Sequence, residues 1–190
     1  MDYKNNFIII RFSSRGSGNC AAISRKIKEF HGIEHSIEYI VNQTVVQSCG
    51  NCDYECLTPG KFCPNLSEKQ AELMDAICNA RLVYFIVPDY CGFPCANYFA
   101  FNEKSVGFFN KSEDLLEKYL TVPKRFIVVS NSKGDIFKEA MQQQTNMEPD
   151  ILYMGCKKYG KRSIDGNIMD SSDAAADLKE FLRKTTIQLT

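Results

Sequence analysis

The sequence carries no excess of charge of either sign: 23 lysines and arginines stand against 23 acidic residues in a chain of 190. Binding to nucleic acid or anionic lipid needs a basic field, so we expect no nucleic-acid partner. No stretch approaches the roughly 18 apolar residues of a membrane helix, which argues against a membrane partner. The apolar run at residues 7–10 is too short for a signal-peptide core and ends at Arg11. We therefore expect a cytoplasmic protein.

Repeats, low-complexity tracts and linkers are also missing, and at this length one domain spanning residues 1–190 is expected. The chain does contain short apolar runs that alternate with longer amphipathic segments, the pattern of parallel strands joined by crossover helices. This pattern predicts strands at residues 6–12, 35–41, 81–87, 124–130 and 150–156, and helices at 19–32, 68–80, 91–104, 112–120, 135–146 and 171–185. We predict an α/β fold: a flavodoxin-like three-layer sandwich around a five-stranded parallel sheet of order 2-1-3-4-5.

The turn after the first strand lacks the common nucleotide-binding motifs, since it contains neither G-K-[ST] nor G-x-G-x-x-G. It reads SSRGSGNC at residues 13–20. Hydroxyls, glycines and Arg15 lead into a helix N-terminus, where free N–H groups and the helix dipole favour an anion. The same residues also suit a plain solvated turn with a glycine-containing cap, so both interpretations stay open.

Two more polar loops should follow the third and fourth strands, at the sheet edge where open α/β folds bind ligands. One reads PDYCGFPC at residues 88–95, where Tyr90 and Phe93 could cover a flat ring; an apolar helix start packed on the sheet is the alternative. The other reads SNSKGD at residues 130–135. Three such loops at one edge indicate a ligand site more strongly than any one of them.

With these segments the chain resembles the NADPH-dependent FMN reductase family of flavodoxin-like proteins, and within it the iron–sulfur flavoproteins. IIIRFSSRGSGNC resembles the family's first strand and G-S-P-R-x-x-G-N-[ST] turn, and VPDYCG resembles its [ST]-P-x-Y-x-G turn. The resemblance implies bound FMN, with the phosphate held by Ser13, Arg15, Ser17, Asn19 and Cys20, the ring lined by Pro88, Asp89, Tyr90, Cys91 and Gly92, and its other side flanked by Asn131, Ser132, Lys133 and Gly134. Three departures are Phe12, Ser14 and Cys20, where the family usually has glycine, proline and a hydroxyl residue.

Nine cysteines in a reducing compartment are more often thiols, metal ligands or redox groups than disulfides. Four of them, Cys49, Cys52, Cys56 and Cys63, belong to an insertion loop at about residues 42–65. Iron–sulfur relatives carry C-x2-C-x2-C-x(4–7)-C at this place, and the spacing here is C-x2-C-x3-C-x6-C. Four thiolates could complete a [4Fe–4S] cluster or hold tetrahedral zinc, or the loop could carry reduced thiols without a metal. A further pair, Cys91 and Cys95, lies four residues apart at a predicted helix start and could be a flavin-linked dithiol or two packing residues.

We expect an FMN-dependent oxidoreductase in which the flavin carries the chemistry and no side chain need act as a general acid or base. It would oxidise NAD(P)H with a small acceptor, such as a flavin or quinone, or pass single electrons through an iron–sulfur cluster to a redox protein. The alternatives are a non-catalytic flavin- or metal-binding electron carrier or redox sensor, and a zinc-stabilised α/β domain without flavin. The resemblance also implies a homo-oligomer, either a dimer or a tetramer.

Overall fold

A computed structural model describes residues 6–42, 45–46, 49–50, 52–58, 60–110, 112–131 and 137–188. The strands are β1 (Phe7–Arg11), β2 (Ser36–Ile40), β3 (Leu82–Tyr90), β4 (Phe93–Pro94), β5 (Lys124–Ser130) and β6 (Asp150–Gly155). The helices are α1 (Asn19–His31), α2 (Glu68–Cys78), α3 (Ala96–Phe109), α4 (Glu113–Thr121), α5 (Phe137–Gln142) and α6 (Ser172–Gln188).

The sheet has the predicted topology. Five parallel strands run in the order β2-β1-β3-β5-β6, which is the predicted order 2-1-3-4-5 because β5 and β6 are the fourth and fifth strands of that prediction. The short β4, which the sequence analysis does not predict, pairs antiparallel with the end of β3. Strand order reverses between β1 and β3, so the loops that follow these two strands meet at the switch point where open α/β sheets bind ligands.

Helices cover both faces of the sheet, because successive strand residues point to opposite sides. Ile8, Ile10 and Phe12 belong to a buried cluster shared with α2, α3 and α4, whereas Phe7 and Ile9 pack in a second cluster with α1 and α6. The predicted three-layer sandwich is confirmed. Within the described part of the chain, no helix has the length and hydropathy needed to cross a membrane.

Two of the helix boundaries follow the sequence signals. The Ser67 hydroxyl accepts a hydrogen bond from the Gln70 N–H at 3.1 Å and caps α2, and Gly32, with φ of 94°, ends α1.

The prediction of a helix from residue 91 is wrong, because α3 begins at Ala96. Cys91 and Gly92 have φ angles of 57° and 86°, and a pair of positive φ angles makes the two-residue turn that joins antiparallel strands. This turn connects β3 to β4 and extends β3 to Tyr90. Cys91 therefore lies at the tip of a hairpin, and it does not share a helix face with Cys95.

Candidate functional site

A cleft of about 560 Å³ opens at the carboxyl edge of the sheet. This volume falls within the range of roughly 300–1,000 Å³ that is typical of small-molecule sites. Its walls come from the loop after β1, the end of β3 with its turn, the end of β5 and a segment after β6: Ser13, Arg15, Gly18, Asn19, Cys20, Pro88, Asp89, Tyr90, Cys91, Val129, Ser130, Asn131, Ser163 and Ile164. We call this feature the cleft.

Most of the residues predicted to bind the cofactor meet at the cleft. Nine of them line it: Ser13, Arg15, Asn19, Cys20, Pro88, Asp89, Tyr90, Cys91 and Asn131. Ser17 and Gly92 belong to the same loops but do not line it, and Ser132, Lys133 and Gly134 lie outside the described residues. The loops after β1, β3 and β5 thus converge on one cleft, although they are far apart in sequence.

Arg11, the last residue of β1, holds the loop after β1 from the sheet side. It is only 4% exposed, and its Nε donates to Glu38 Oε1 at 3.0 Å. Its Nη1 donates to the carbonyl oxygen of Ser13 and, at 3.1 Å, to that of Arg15. In the sequence, Arg11 is recognisable only as the end of an apolar run. The overlooked signal is a pair of opposite charges, Arg11 and Glu38, in two strands that carry no other charged residue.

Glu38 balances the positive charge of Arg11. Burial by itself raises the pKa of Glu38, but hydrogen bonds from Lys28, Ser24 and Arg11 outweigh burial and hold this pKa below its ordinary value. Lys28 Nζ and Ser24 Oγ both lie 2.7 Å from the carboxylate oxygens. The cluster therefore contains two basic side chains and one acidic side chain.

A segment after β6 closes one side of the cleft. Arg15 Nη2 donates to the Ile164 carbonyl oxygen at 2.7 Å, and Asn19 Nδ2 donates to the Ser163 carbonyl oxygen at 3.3 Å. A Cβ atom on Gly166 would lie 2.3 Å from the Ser17 carbonyl oxygen, so the two segments are in direct contact. This wall is not predictable from the sequence, since the segment lies more than a hundred residues from the loop it contacts and carries no motif.

Asn19 acts as a tie between the loop after β1 and this segment. In addition to its bond to Ser163, its Nδ2 lies 3.3 Å from Cys156 Sγ, and its Oδ1 accepts from the Ile168 N–H at 3.0 Å. The buried amide is therefore engaged on both sides. The predicted contact of Asn19 with an FMN phosphate stays a prediction.

Asp89 connects the hairpin to the neighbouring strand. Its Oδ1 accepts from the Gly92 N–H at 2.7 Å, and its Oδ2 accepts from the Ser130 hydroxyl at the end of β5. The hairpin also carries Tyr90 and Phe93, which are 64% and 58% exposed. Asp89 thus fixes an exposed aromatic surface at the mouth of the cleft.

Cys20 places a thiol where the resembling family has a hydroxyl. Burial, together with the nearby Cys95 thiol, raises the pKa of Cys20 to about 12. The group is therefore a neutral, weak hydrogen-bond donor in the first turn of α1. The Cys95 thiol is directed elsewhere and donates to the Phe12 carbonyl oxygen at 3.4 Å.

The segment with the four predicted metal ligands docks on α3. The Cys49 N–H donates to Glu103 Oε2 at 3.0 Å, and a Cβ atom on Gly107 would lie 2.2 Å from Cys63 Cβ. This close approach is possible only because Gly107 has no side chain. Through α3 the segment is tied to the core, because Phe101 and Phe108 of the same helix are buried.

The four thiols of this segment lie near one another. Burial raises the pKa of Cys56, and the nearby Cys63, Cys49 and Cys52 raise it further. In the ranges described above, however, no three His, Cys, Asp or Glu side chains are arranged to hold a metal ion. The predicted metal site therefore stays a prediction.

The fold is that of a flavodoxin-like α/β protein, and the cleft at the switch point is its candidate ligand site. No family model and no curated protein matches the chain. Solved structures of similar fold include the Trp repressor binding protein from Bacillus subtilis, with 12% sequence identity and a TM-score of 0.60 over 93% of this chain and 97% of that one. The flavoenzyme NAD(P)H:(acceptor) oxidoreductase FerB from Paracoccus denitrificans has 11% identity and a TM-score of 0.52 over 94% and 96% of the two chains. An azoreductase from Bacillus anthracis has 12% identity and a TM-score of 0.52 over 94% and 97%. At these identities the similarity establishes the fold.

Proposed function

We propose that the protein is an FMN-dependent oxidoreductase that takes electrons from NAD(P)H and passes them to a small-molecule acceptor. The observation that carries the proposal is the cleft of about 560 Å³ at the switch point, because it is lined by nine of the residues that sequence resemblance assigns to FMN. Two proteins of similar fold, FerB and the azoreductase, are named as enzymes of related chemistry, which supports the proposal.

The residues of the cleft fit FMN. Arg15 and the polar loop after β1 offer positive charge and N–H groups to a phosphate at one end. Tyr90 and the β3–β4 turn offer an aromatic side chain and backbone groups to a flat ring at the other. When bound, the flavin would supply hydride and electron transfer, and the side chains of the cleft would hold the phosphate, orient the ring and exclude water.

A turnover assay tests the proposal. The protein is loaded with FMN and mixed with NADH or NADPH and a quinone, and nucleotide oxidation is followed under anaerobic conditions. We expect sustained oxidation with at least one of the two nucleotides. A single stoichiometric reduction followed by no turnover would instead indicate the second candidate, an electron carrier or redox sensor.

An iron–sulfur role for Cys49, Cys52, Cys56 and Cys63 is a finer version of the same hypothesis. Their proximity favours it, whereas the absence of a ligand arrangement among the described residues does not. We therefore route no electron-transfer step through these thiols. Iron, zinc and acid-labile sulfide, measured on protein purified without air, separate the versions: about four irons and four sulfides per chain mean a [4Fe–4S] cluster, zinc alone means a structural site, and neither means free thiols.

A further inference from the structure

Arg11 is an unusual residue for its place in the fold. It lies at the end of β1, between β2 and β3 in the sheet and in register with Ile40 and Ile86, and it is buried. A buried guanidinium needs hydrogen-bond partners to offset the loss of water. Glu38 supplies one, and the others are two carbonyl groups of the loop after β1.

The hydrogen bonds from Arg11 to these carbonyl groups fix the direction of N–H groups in the loop. Across a trans peptide the N–H of the next residue points opposite to the C=O, and the described chain contains no cis peptide. Since the Ser13 and Arg15 carbonyls accept from Arg11 on the sheet side, the N–H groups of Ser14 and Gly16 point away from Arg11. Neither of these N–H groups donates to an acceptor within the part of the chain that is described.

We propose that Arg11 is a positioning residue for the phosphate of the flavin: by holding the Ser13 and Arg15 carbonyls beneath the loop, it presents the Ser14 and Gly16 N–H groups to the anion. This inference rests on the proposed function and deepens it. Arg11 itself stays below the loop and need not touch the phosphate.

The residues around Arg11 allow the effect of loop orientation to be tested separately from the effect of positive charge. Lys28 shares Glu38 with Arg11, since its Nζ lies 2.7 Å from Glu38 Oε2. Lys28 therefore contributes a positive charge to the same cluster, but none of its hydrogen bonds reaches a loop carbonyl. Replacing Lys28 removes a charge and one hydrogen bond to Glu38 but leaves the loop contacts in place, whereas replacing Arg11 also removes the hydrogen bonds to the loop carbonyls.

The test compares FMN with riboflavin, which carries the same ring and no phosphate. Dissociation constants of both flavins are measured by quenching of flavin fluorescence for the wild-type protein and for Arg11→Met, Arg11→Lys and Lys28→Met. We expect Arg11→Met to weaken FMN binding by about tenfold to a hundredfold, which corresponds to the loss of one or two charge-assisted hydrogen bonds. Riboflavin binding should weaken by less than about threefold. The affinity of Arg11→Lys for FMN should fall between those of wild type and Arg11→Met. A flexible ammonium holds the loop carbonyls less rigidly than the planar guanidinium, whose Nη1 donates to both. Lys28→Met should leave the ratio of the two constants within about threefold of wild type.

Equal weakening of FMN and riboflavin in Arg11→Met would overturn the inference, because it would assign Arg11 to general support of the fold. The inference would also be overturned if Lys28→Met changed the ratio of the FMN and riboflavin dissociation constants as much as Arg11→Met does, because loss of a positive charge would then explain the effect. If Arg11→Met does not fold, the ratio in Arg11→Lys decides in the same way. Wild-type protein that binds riboflavin and FMN equally well refutes the positioning role while leaving the flavin proposal standing, whereas protein that binds neither refutes both.

Discussion

Removal of the Asp89 carboxylate should loosen the hairpin at the mouth of the cleft. The Asp89→Ala change deletes the acceptor for the Gly92 N–H, which lies 2.7 Å away, and the acceptor for the Ser130 hydroxyl. Gly92 and Ser130 are both buried, so water replaces the lost acceptor only after the turn moves. The turn already contains Cys91 with φ of 57°, a conformation that costs a non-glycine residue roughly 1–2 kcal/mol.

The magnitude follows from the two hydrogen bonds. A hydrogen bond to a charged group contributes about 1.5–3 kcal/mol, and Asp89 is partly exposed, so we take the lower value for each and expect a loss of about 3 kcal/mol. Asp89→Asn is the matched control. Its amide oxygen still accepts from Gly92 and its amide nitrogen donates to the Ser130 oxygen, so it should cost about 1 kcal/mol.

Urea unfolding at neutral pH gives the free energy of unfolding of both variants. These values are compared with wild type where the slope of the free energy against urea concentration is unchanged. Flavin affinity on the same samples reports the cleft: Asp89→Ala should weaken FMN and riboflavin alike, because the hairpin contributes to the ring end. If Asp89→Ala unfolds within about 0.5 kcal/mol of wild type, a typical neutral surface change, the hairpin does not depend on this carboxylate and the reasoning fails.

Three further outcomes are expected. Burial lowers the pKa of Lys124 from 10.5 to about 7, so the unfolded chain binds more protons than the folded protein between these pH values. The free energy of unfolding of the wild type should therefore rise with pH across that window relative to that of Lys124→Met. A difference between the two free energies that does not change with pH would contradict this. Gly107→Ala places a methyl group 2.2 Å from Cys63 Cβ and should speed alkylation of the segment thiols by iodoacetamide; unchanged rates would mean that the segment does not dock on α3. Cys20→Ser introduces a hydroxyl donor and should tighten FMN binding by up to about tenfold without affecting riboflavin binding. Equal tightening of both flavins would refute this expectation.

Much of the fold follows from the sequence because apolar periodicity reports burial directly. Residues 82–87 are apolar on both faces, as a central parallel strand requires, and the sheet contains them at its centre. The three ligand loops are equally accessible to prediction, since topology alone brings the carboxyl ends of β1, β3 and β5 together.

The missed features depend on contacts between distant parts of the chain. Nothing near residues 163–168 in the sequence indicates that this segment packs on the loop after β1. The role of Arg11 depends on Glu38 in another strand and on the direction of loop carbonyls, which no local pattern encodes. The hairpin is missed for a different reason, because Cys91 occupies a position where Asn or Gly usually marks a two-residue turn.

The most direct test of the central claim is a titration of the metal-free protein with FMN, followed by fluorescence and carried out in parallel on Arg15→Ala and Tyr90→Ala. Our proposal predicts one FMN per chain, a weaker affinity in both variants, and a loss in Arg15→Ala that disappears when riboflavin replaces FMN. Absence of saturable binding, or binding that neither variant alters, would contradict the assignment of the cleft as a flavin site.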